Sequence, residues 1–242
     1  MRFENKAILI TGAARGIGLS AAELFAKEGG MVVLTDTDSE KLSDSVNKLR
    51  SQDLKVEGVS LNVTNRREWE SVVTGVVEKH GRLDVLINNA GLNEVATVED
   101  TTIEQWQKMM PVNRDGVFHG IQFGVAAMKE TGGVIINVAS ITAGVAAPEL
   151  VAYGTSKAAV SQLSKTATVD RARKGYNIRI NSIHPGFTDT RMVDKMLDSL
   201  GDGASTFAKS IIKGIPMKRL ARPCEIAKPI LFLASDGGYT AA

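Results

Sequence analysis

"LITGAARGIGLSAAELFAKEG", residues 9–29, runs from an apolar strand through a glycine turn into a helix. Its glycines, Gly12, Gly16 and Gly18, are spaced G-x-x-x-G-x-G, not the commoner G-x-G-x-x-G of dinucleotide sites. The physics is shared. Glycine lets the chain turn sharply and lets a phosphate approach the backbone, and the helix that follows offers free N–H groups and its positive dipole end. Glycines also serve ordinary tight turns, but a position directly after the first strand favours a nucleotide site. Arg15 and Ile17 sit inside the turn and are grouped with its glycines as candidate cofactor contacts.

Outward from this turn, short apolar runs alternate with helical patterns. "AILIT" (7–11), "MVVLT" (31–35), "KVEGVSL" (55–61), "LDVLINN" (83–89), "GVIINVAS" (133–140) and "IRINSIH" (178–184) read as strands. Most are apolar nearly throughout, as strands covered on both faces must be. Between them, 16–29, 39–51, 65–80, 101–129 and 151–174 read as helices. The alternation predicts an α/β fold: one doubly wound parallel sheet of Rossmann type with helices on both faces. No repeat, low-complexity tract or long linker divides the chain, so residues 1–242 are expected to form a single domain. Residues 187–222 break the rhythm with Thr, Asp, Gly and Met. A stretch of that kind after the sixth strand fits a segment covering substrate at the carboxyl ends of the strands, or a plain surface excursion.

The totals exclude several classes. Of 242 residues, 43% are hydrophobic and 23% charged, with a net charge of +2, an ordinary balance for a soluble globular protein. Basic residues are scattered apart from short groups such as 171–174, which argues against nucleic acid. Cys224 is the single cysteine, so no intrachain disulfide forms and a reducing, cytoplasmic setting is expected. His80, His119 and His184 are far apart in sequence and make a metal site unexpected. The longest apolar stretch, 134–147, is interrupted by Asn137, Ser140, Thr142 and Gly144, too short and polar for a membrane span.

Asp36 ends the second strand. A carboxylate there can accept hydrogen bonds from both hydroxyls of an adenosine ribose and repels a 2′-phosphate, favouring NAD(H). Arg15 pulls toward NADP(H), because a cation in the turn could meet that phosphate. Asp36 weighs more, since setting two anions together is costly, and NADP(H) stays open.

"AYGTSKAAV", residues 152–160, places Tyr153 and Lys157 four positions apart. In a helix they share a face, one turn along. Alone, this also fits an amphipathic helix whose two polar heads seek solvent. Ser140, at the end of the fifth predicted strand, fits either a strand cap or a donor to a developing oxyanion.

The motifs together resemble the classical short-chain dehydrogenases/reductases: "TGAARGIG" (11–18), "NNAG" (88–91), Asn113, Ser140, "YGTSK" (153–157) and "HPGFTDT" (184–190) follow in that family's order and spacing. "GIPMKRLARPCEIAKPILFLASD" (214–236) extends the likeness, which covers residues 5–236 almost continuously. "GVAAMKETGGVIINVAS" and "IRINSIHPG" are most similar to bacterial hydroxysteroid and secondary or cyclic alcohol dehydrogenases.

The resemblance implies hydride transfer between a nicotinamide and an alcohol or ketone, with Tyr153 as general acid/base. A free phenol, with a pKa of about 10, is a poor base at neutral pH. Lys157 would supply the positive charge that stabilises the phenolate, and would also hold the nicotinamide ribose. Ser140 would polarise the substrate oxygen, and the backbone carbonyl of Asn113 would hold a relay water. Asn89, Ala90 and Gly91 would line the adenosine ribose and the crevice. Pro185, Gly186, Thr188 and Thr190 would fix the nicotinamide, and Asn62 and Val63 would touch adenine. The family usually has aspartate where this chain has Asn62, whose amide could still bond the adenine amino group.

The chain departs from the family at "LFLASDGGYTAA", where two landmarks normally separated by a strand are fused on Asp236. The last edge strand is therefore expected to be missing, or its segment absent from the sequence, which puts the usual tetramer in doubt and leaves a tetramer or dimer open. The expected substrate is a hydrophobic or cyclic alcohol, since Ile141, Ala143, Val145, Ala146, Ala147 and Leu150 are apolar. Two rivals remain: an NADPH-linked 3-oxoacyl-(acyl carrier protein) reductase, and a non-catalytic dinucleotide-binding sensor or scaffold.

Overall fold

Every residue of β1 (Ala7–Thr11) is buried, because its alternate side chains enter two different cores. Ile8 and Ile10 join the core beneath the first two helices, and Ala7 and Leu9 the core on the opposite face of the sheet. The same alternation holds along β2 (Met31–Asp36), β4 (Val85–Asn88) and β5 (Gly133–Val138). With β3 (Val56–Ser60) and β6 (Ile178–Ile183) they form one parallel sheet of order β3-β2-β1-β4-β5-β6. The computed structural model describes residues 1–199 and 201–238.

Nine helices are described: α1 (Gly16–Lys27), α2 (Ser39–Arg50), α3 (Arg66–His80), α4 (Ile103–Met110), α5 (Gly116–Met128), α6 (Val151–Arg173), α7 (Arg191–Ser199), α8 (Ala204–Gly214) and α9 (Pro223–Ala234). The strand order reverses at β1, which pairs with both β2 and β4. A crevice therefore opens between the loops that leave β1 and β4, at the carboxyl ends of the strands.

Local chemistry sets the helix ends. Asp38, Asn65 and Thr102 cap α2, α3 and α4 by accepting from Lys41, Arg67 and Gln105 backbone N–H groups. At α1 the cap position is Arg15, with no side-chain cap and no acid in the first turn. Where one helix over 101–129 was expected, α4 and α5 are separated by a π turn, Pro111–Asp115. Pro111 has no N–H to give to the preceding turn, and Gly116 N–H reaches back five residues to the Pro111 carbonyl.

The segment 187–222 contains α7 and α8, and α9 follows, none of them expected from the sequence pattern. Among the described residues no strand follows α9, so β6 is the edge of a six-stranded sheet. Residues 239–242 lie outside the described part. The edge is nevertheless tied down: from β6, Arg179 donates to the carbonyls of Leu233 (2.6 Å) and Ser235 (2.9 Å). Leu233 is in the last turn of α9 and Ser235 caps it, where carbonyls find no partner further along the helix; Ser235 also accepts from Gly238 N–H at 2.9 Å. Ala227, Ile230, Leu231 and Ala234 of α9 complete the core beneath α1.

Candidate active site

A cleft of about 680 Å³ opens along the crevice, within the range usual for small-molecule sites. At one end lies the glycine turn. Gly12 has φ +62°, and a Cβ there would fall 2.8 Å from Ala90 Cα. Gly16 (φ +59°) faces the Thr190 methyl, so the turn and the segment after β6 meet across the cleft. Gly12, Arg15, Gly16 and Ile17 line the cavity. Gly18 does not line it: a Cβ at Gly18 would lie 2.6 Å from Gly12 O and from Asn89 Nδ2, so this glycine lets α1 pack against the turn.

The carboxylate of Asp36 is held at the end of β2 by backbone donors, Ala14 N–H at 3.2 Å and Asp38 N–H at 3.1 Å. The Arg15 guanidinium is ion-paired with Asp38, a second carboxylate lining the same end of the cleft. Sequence reading missed Asp38, although its place two residues past Asp36 and just ahead of a helical pattern marks it as an N-cap. Asn62 and Val63 also line the cavity. The Asn62 side-chain oxygen accepts from both the N–H (3.0 Å) and the hydroxyl (2.8 Å) of Thr64. Its acceptor positions are thereby used, which counts against the expected bond to an adenine amino group. The Val63 carbonyl accepts from the Trp69 indole (3.0 Å), and Gly116 leaves room for the valine side chain.

Across the crevice, Asn89, Ala90 and Gly91 form the opposite wall. They are anchored by Thr11, whose hydroxyl accepts from the N–H groups of Asn89 and Ala90, both at 3.0 Å. Asn113 does not line the cleft. It is fully buried in the π turn, where its amide bonds both backbone groups of Leu92 (2.8 Å each) and the Ser156 hydroxyl (3.0 Å). It thus joins the loop after β4 to α6. A Cβ on Gly91 would lie 3.3 Å from Asn113 Oδ1 and 3.4 Å from Lys157 Nζ.

Ser140, Tyr153 and Lys157 share one wall of the cleft. Lys157 lies 5.7 Å from the Tyr153 ring centroid and donates to the Val138 carbonyl at 2.8 Å. It is 3% exposed, and this burial pulls its pKa from 10.5 down to about 8. Burial pushes the Tyr153 phenol above its ordinary value, and a hydrogen bond from Ser140 acts the other way. Pro185, Gly186, Thr188 and Thr190 also line the cavity. Beyond them the cavity is walled by Ile141, Val145, Ala146, Ala147 and Leu150, and by Phe187, Met192, Val193 and Met196. Among the described residues of the segment 187–222, those that reach the cleft lie between Phe187 and Met196.

The residues present fit a dinucleotide. The glycine turn forms a cradle that a Cβ at Gly12 would fill, beside a helix start without a capping side chain, as a pyrophosphate requires. Among the described residues no group of three His, Cys, Asp or Glu could hold a metal, and no helix is long and apolar enough to cross a membrane.

Sheet order, switch-point crevice and glycine cradle define a dinucleotide-binding protein of the Rossmann class. More narrowly, the chain belongs to the short chain dehydrogenase family, whose model matches residues 6–200. It is 36% identical over 254 residues to cyclopentanol dehydrogenase of Comamonas sp. (strain NCIMB 9872), covering 99% of each chain. It is 40% identical over 237 residues to the 3-oxoacyl-(acyl-carrier-protein) reductase FabG of Thermotoga maritima, covering 98% of this chain and 93% of that one. The crystal structure of levodione reductase superposes with a TM-score of 0.92 at 32% identity, over 97% of this chain and 92% of that one. The protein is thus an oxidoreductase of a family that uses NAD(H) or NADP(H).

Proposed function

We propose that this oxidoreductase interconverts a hydrophobic or cyclic secondary alcohol and its ketone with NAD(H), using Tyr153 as the general acid/base. The observation that carries the reading is the shared wall of Ser140, Tyr153 and Lys157 facing an apolar cavity. When bound, the nicotinamide supplies or accepts the hydride. Tyr153 gives a proton to the carbonyl oxygen in reduction and takes it from the alcohol in oxidation. Its burial disfavours the phenolate, so oxidation needs the Lys157 ammonium beside the ring, and the Ser140 hydrogen bond favours the phenolate only until substrate takes that hydroxyl. A phenolate in turn favours the charged form of Lys157, which the Val138 carbonyl also bonds. Ser140 donates to the substrate oxygen as charge develops, and the apolar wall keeps water from that oxygen. Asn113 acts on this arrangement by fixing the loop after β4 to α6.

Two carboxylates, Asp36 and Asp38, support NAD(H) over NADP(H). Arg15, the group that would welcome a 2′-phosphate, is committed to Asp38. Relatives acting on cyclopentanol and levodione support a cyclic substrate. The 40% identity to a 3-oxoacyl reductase favours a second reading, reduction of an acyl-carrier-protein-linked ketone with NADPH. The reading includes a cytoplasmic homo-oligomer, supported by the unpaired Cys224 and by the place of β6 at the sheet edge among the described residues.

The test follows the near-ultraviolet band of reduced nicotinamide, with NADH or NADPH and a panel of aliphatic, cyclic and steroid ketones. Cyclic ketones should be reduced with NADH, and Tyr153→Phe should lower the rate at least about a hundredfold while still binding NADH. Preference for NADPH and a 3-oxoacyl substrate would replace this reading with the second. Dinucleotide binding without turnover of any carbonyl would leave a sensor or scaffold.

A further inference from the structure

The place of Ser140 depends on more than its own strand. Beyond the ends of β5 and β6, Ala139 N–H donates to the Ile183 carbonyl and Ile141 N–H to the Pro185 carbonyl, both at 2.9 Å. Between these two bonds, the Ser140 carbonyl lies 3.0 Å from His184 Nδ1. A carbonyl oxygen only accepts, so Nδ1 carries the hydrogen. The other ring nitrogen, Nε2, lies 3.1 Å from the Ser182 hydroxyl and is its acceptor when the ring is neutral. The imidazole is therefore bonded at both ends, one residue past the edge strand of the sheet.

His184 is absent from the walls of the cleft, whereas Ser140 on one side of it and Pro185 on the other belong to them. On its cleft side, the Ser140 hydroxyl accepts from Thr142 N–H at 3.2 Å and bonds Tyr153. We propose that His184 is a positioning residue for proton transfer: its ring holds the Ser140 main chain from behind and so keeps the serine hydroxyl in line with Tyr153 and the substrate oxygen. This rests on the reading of Ser140 and Tyr153 given above. Without the ring, the flanking ladder bonds remain but the Ser140 carbonyl loses its partner. The serine then spends less time in the reactive geometry, and small misplacements of such groups are costly. Because Pro185, the next residue, lines the cleft, the same ring couples the serine to the Pro185–Thr190 segment.

The experiment compares wild type, His184→Ala, His184→Asn, Ser140→Ala and the Ser140→Ala/His184→Ala double variant with a cyclic ketone and NADH. Asparagine is the conservative variant, since its amide nitrogen sits where Nδ1 does and can donate the same bond. His184→Ala should lower kcat about tenfold, with NADH affinity and melting temperature close to wild type. His184→Asn should recover most of the loss. In the Ser140→Ala background the histidine substitution should change kcat by less than about twofold, because the group it acts through is gone. An equal loss in both backgrounds, unchanged kcat in His184→Ala, or a loss that follows NADH affinity overturns the assignment. A wild type that turns over no carbonyl overturns the reaction as well, whereas an active wild type matched by His184→Ala overturns the histidine alone.

Discussion

The two ends of the cleft are built from different material. The dinucleotide end is mostly backbone: Gly12 against Ala90, the amides that fix Asp36, and the Thr11 hydroxyl that anchors the opposite wall. The far end is side chains, the aliphatic groups of 141–150 facing Met192, Val193 and Met196 of α7. Val145 and Ile141 are 60% and 49% exposed there, against near-complete burial of β1. A site made of backbone is set by the sheet and tolerates little change. A site made of side chains can be recut without refolding the sheet. Cofactor choice and substrate choice can therefore change separately, with the Ser140–Tyr153–Lys157 wall between them.

The sharpest way to break this contrast is at its centre. Lys157→Met should lower kcat about a hundred- to thousandfold, since a phenolate would then lack its charge partner. Stability should respond in the opposite sense. The lysine titrates at about 8 when folded and at 10.5 otherwise, so between those values the unfolded chain holds the proton and the folded chain does not. Rising pH across that window favours the folded wild type, and thermal melts at both ends should show it gaining on the methionine variant.

At the dinucleotide end, Gly18→Ala sets a methyl 2.6 Å from the Gly12 carbonyl. Overpacking of this kind costs about 1–3 kcal/mol, which should lower the melting temperature by about 3–10 °C and weaken NADH binding. Asp38→Ala frees Arg15 from an exposed, solvent-screened ion pair. The ratio of NADPH to NADH affinity should rise about fivefold in titrations, and an unchanged ratio would remove Arg15 from the argument. The smallest effect belongs to the far end. Met196→Ala should alter KM for bulky ketones about threefold, leaving NADH affinity and the Tyr153 dependence as they were.

The same division decides what could be read in advance. Strands β1, β2 and β5 follow apolar runs that only a doubly covered sheet explains, and α6 matches its expected span to within a residue. The glycine turn and Asp36 were legible because backbone chemistry demands glycine and a carboxylate there. The helices α7, α8 and α9 were not predicted, although α7 and α8 carry a strong one-sided apolar period; the Thr, Asp, Gly and Met of 187–222 were weighed instead. Pro111 was a visible signal for the break in the helix over 101–129, and it was not weighed. Asp38, Thr11 and His184 act through partners distant in sequence, and pairings of that kind appear only once the sheet is assembled. The family pattern, not residue chemistry, drew attention to Asn113, and its side chain proves to be a buried tie between the loop after β4 and α6.

The first turn of α1 starts without a side chain to close it. A helix left open in this way borrows its cap from solution, and the borrowed group is a metabolite. Occupancy then adds to folding stability by mass action, about 2.7 kcal/mol when free ligand is a hundredfold above its dissociation constant. Resistance to unfolding should therefore rise with dinucleotide concentration, so that the same molecule that turns the reaction would also close the helix.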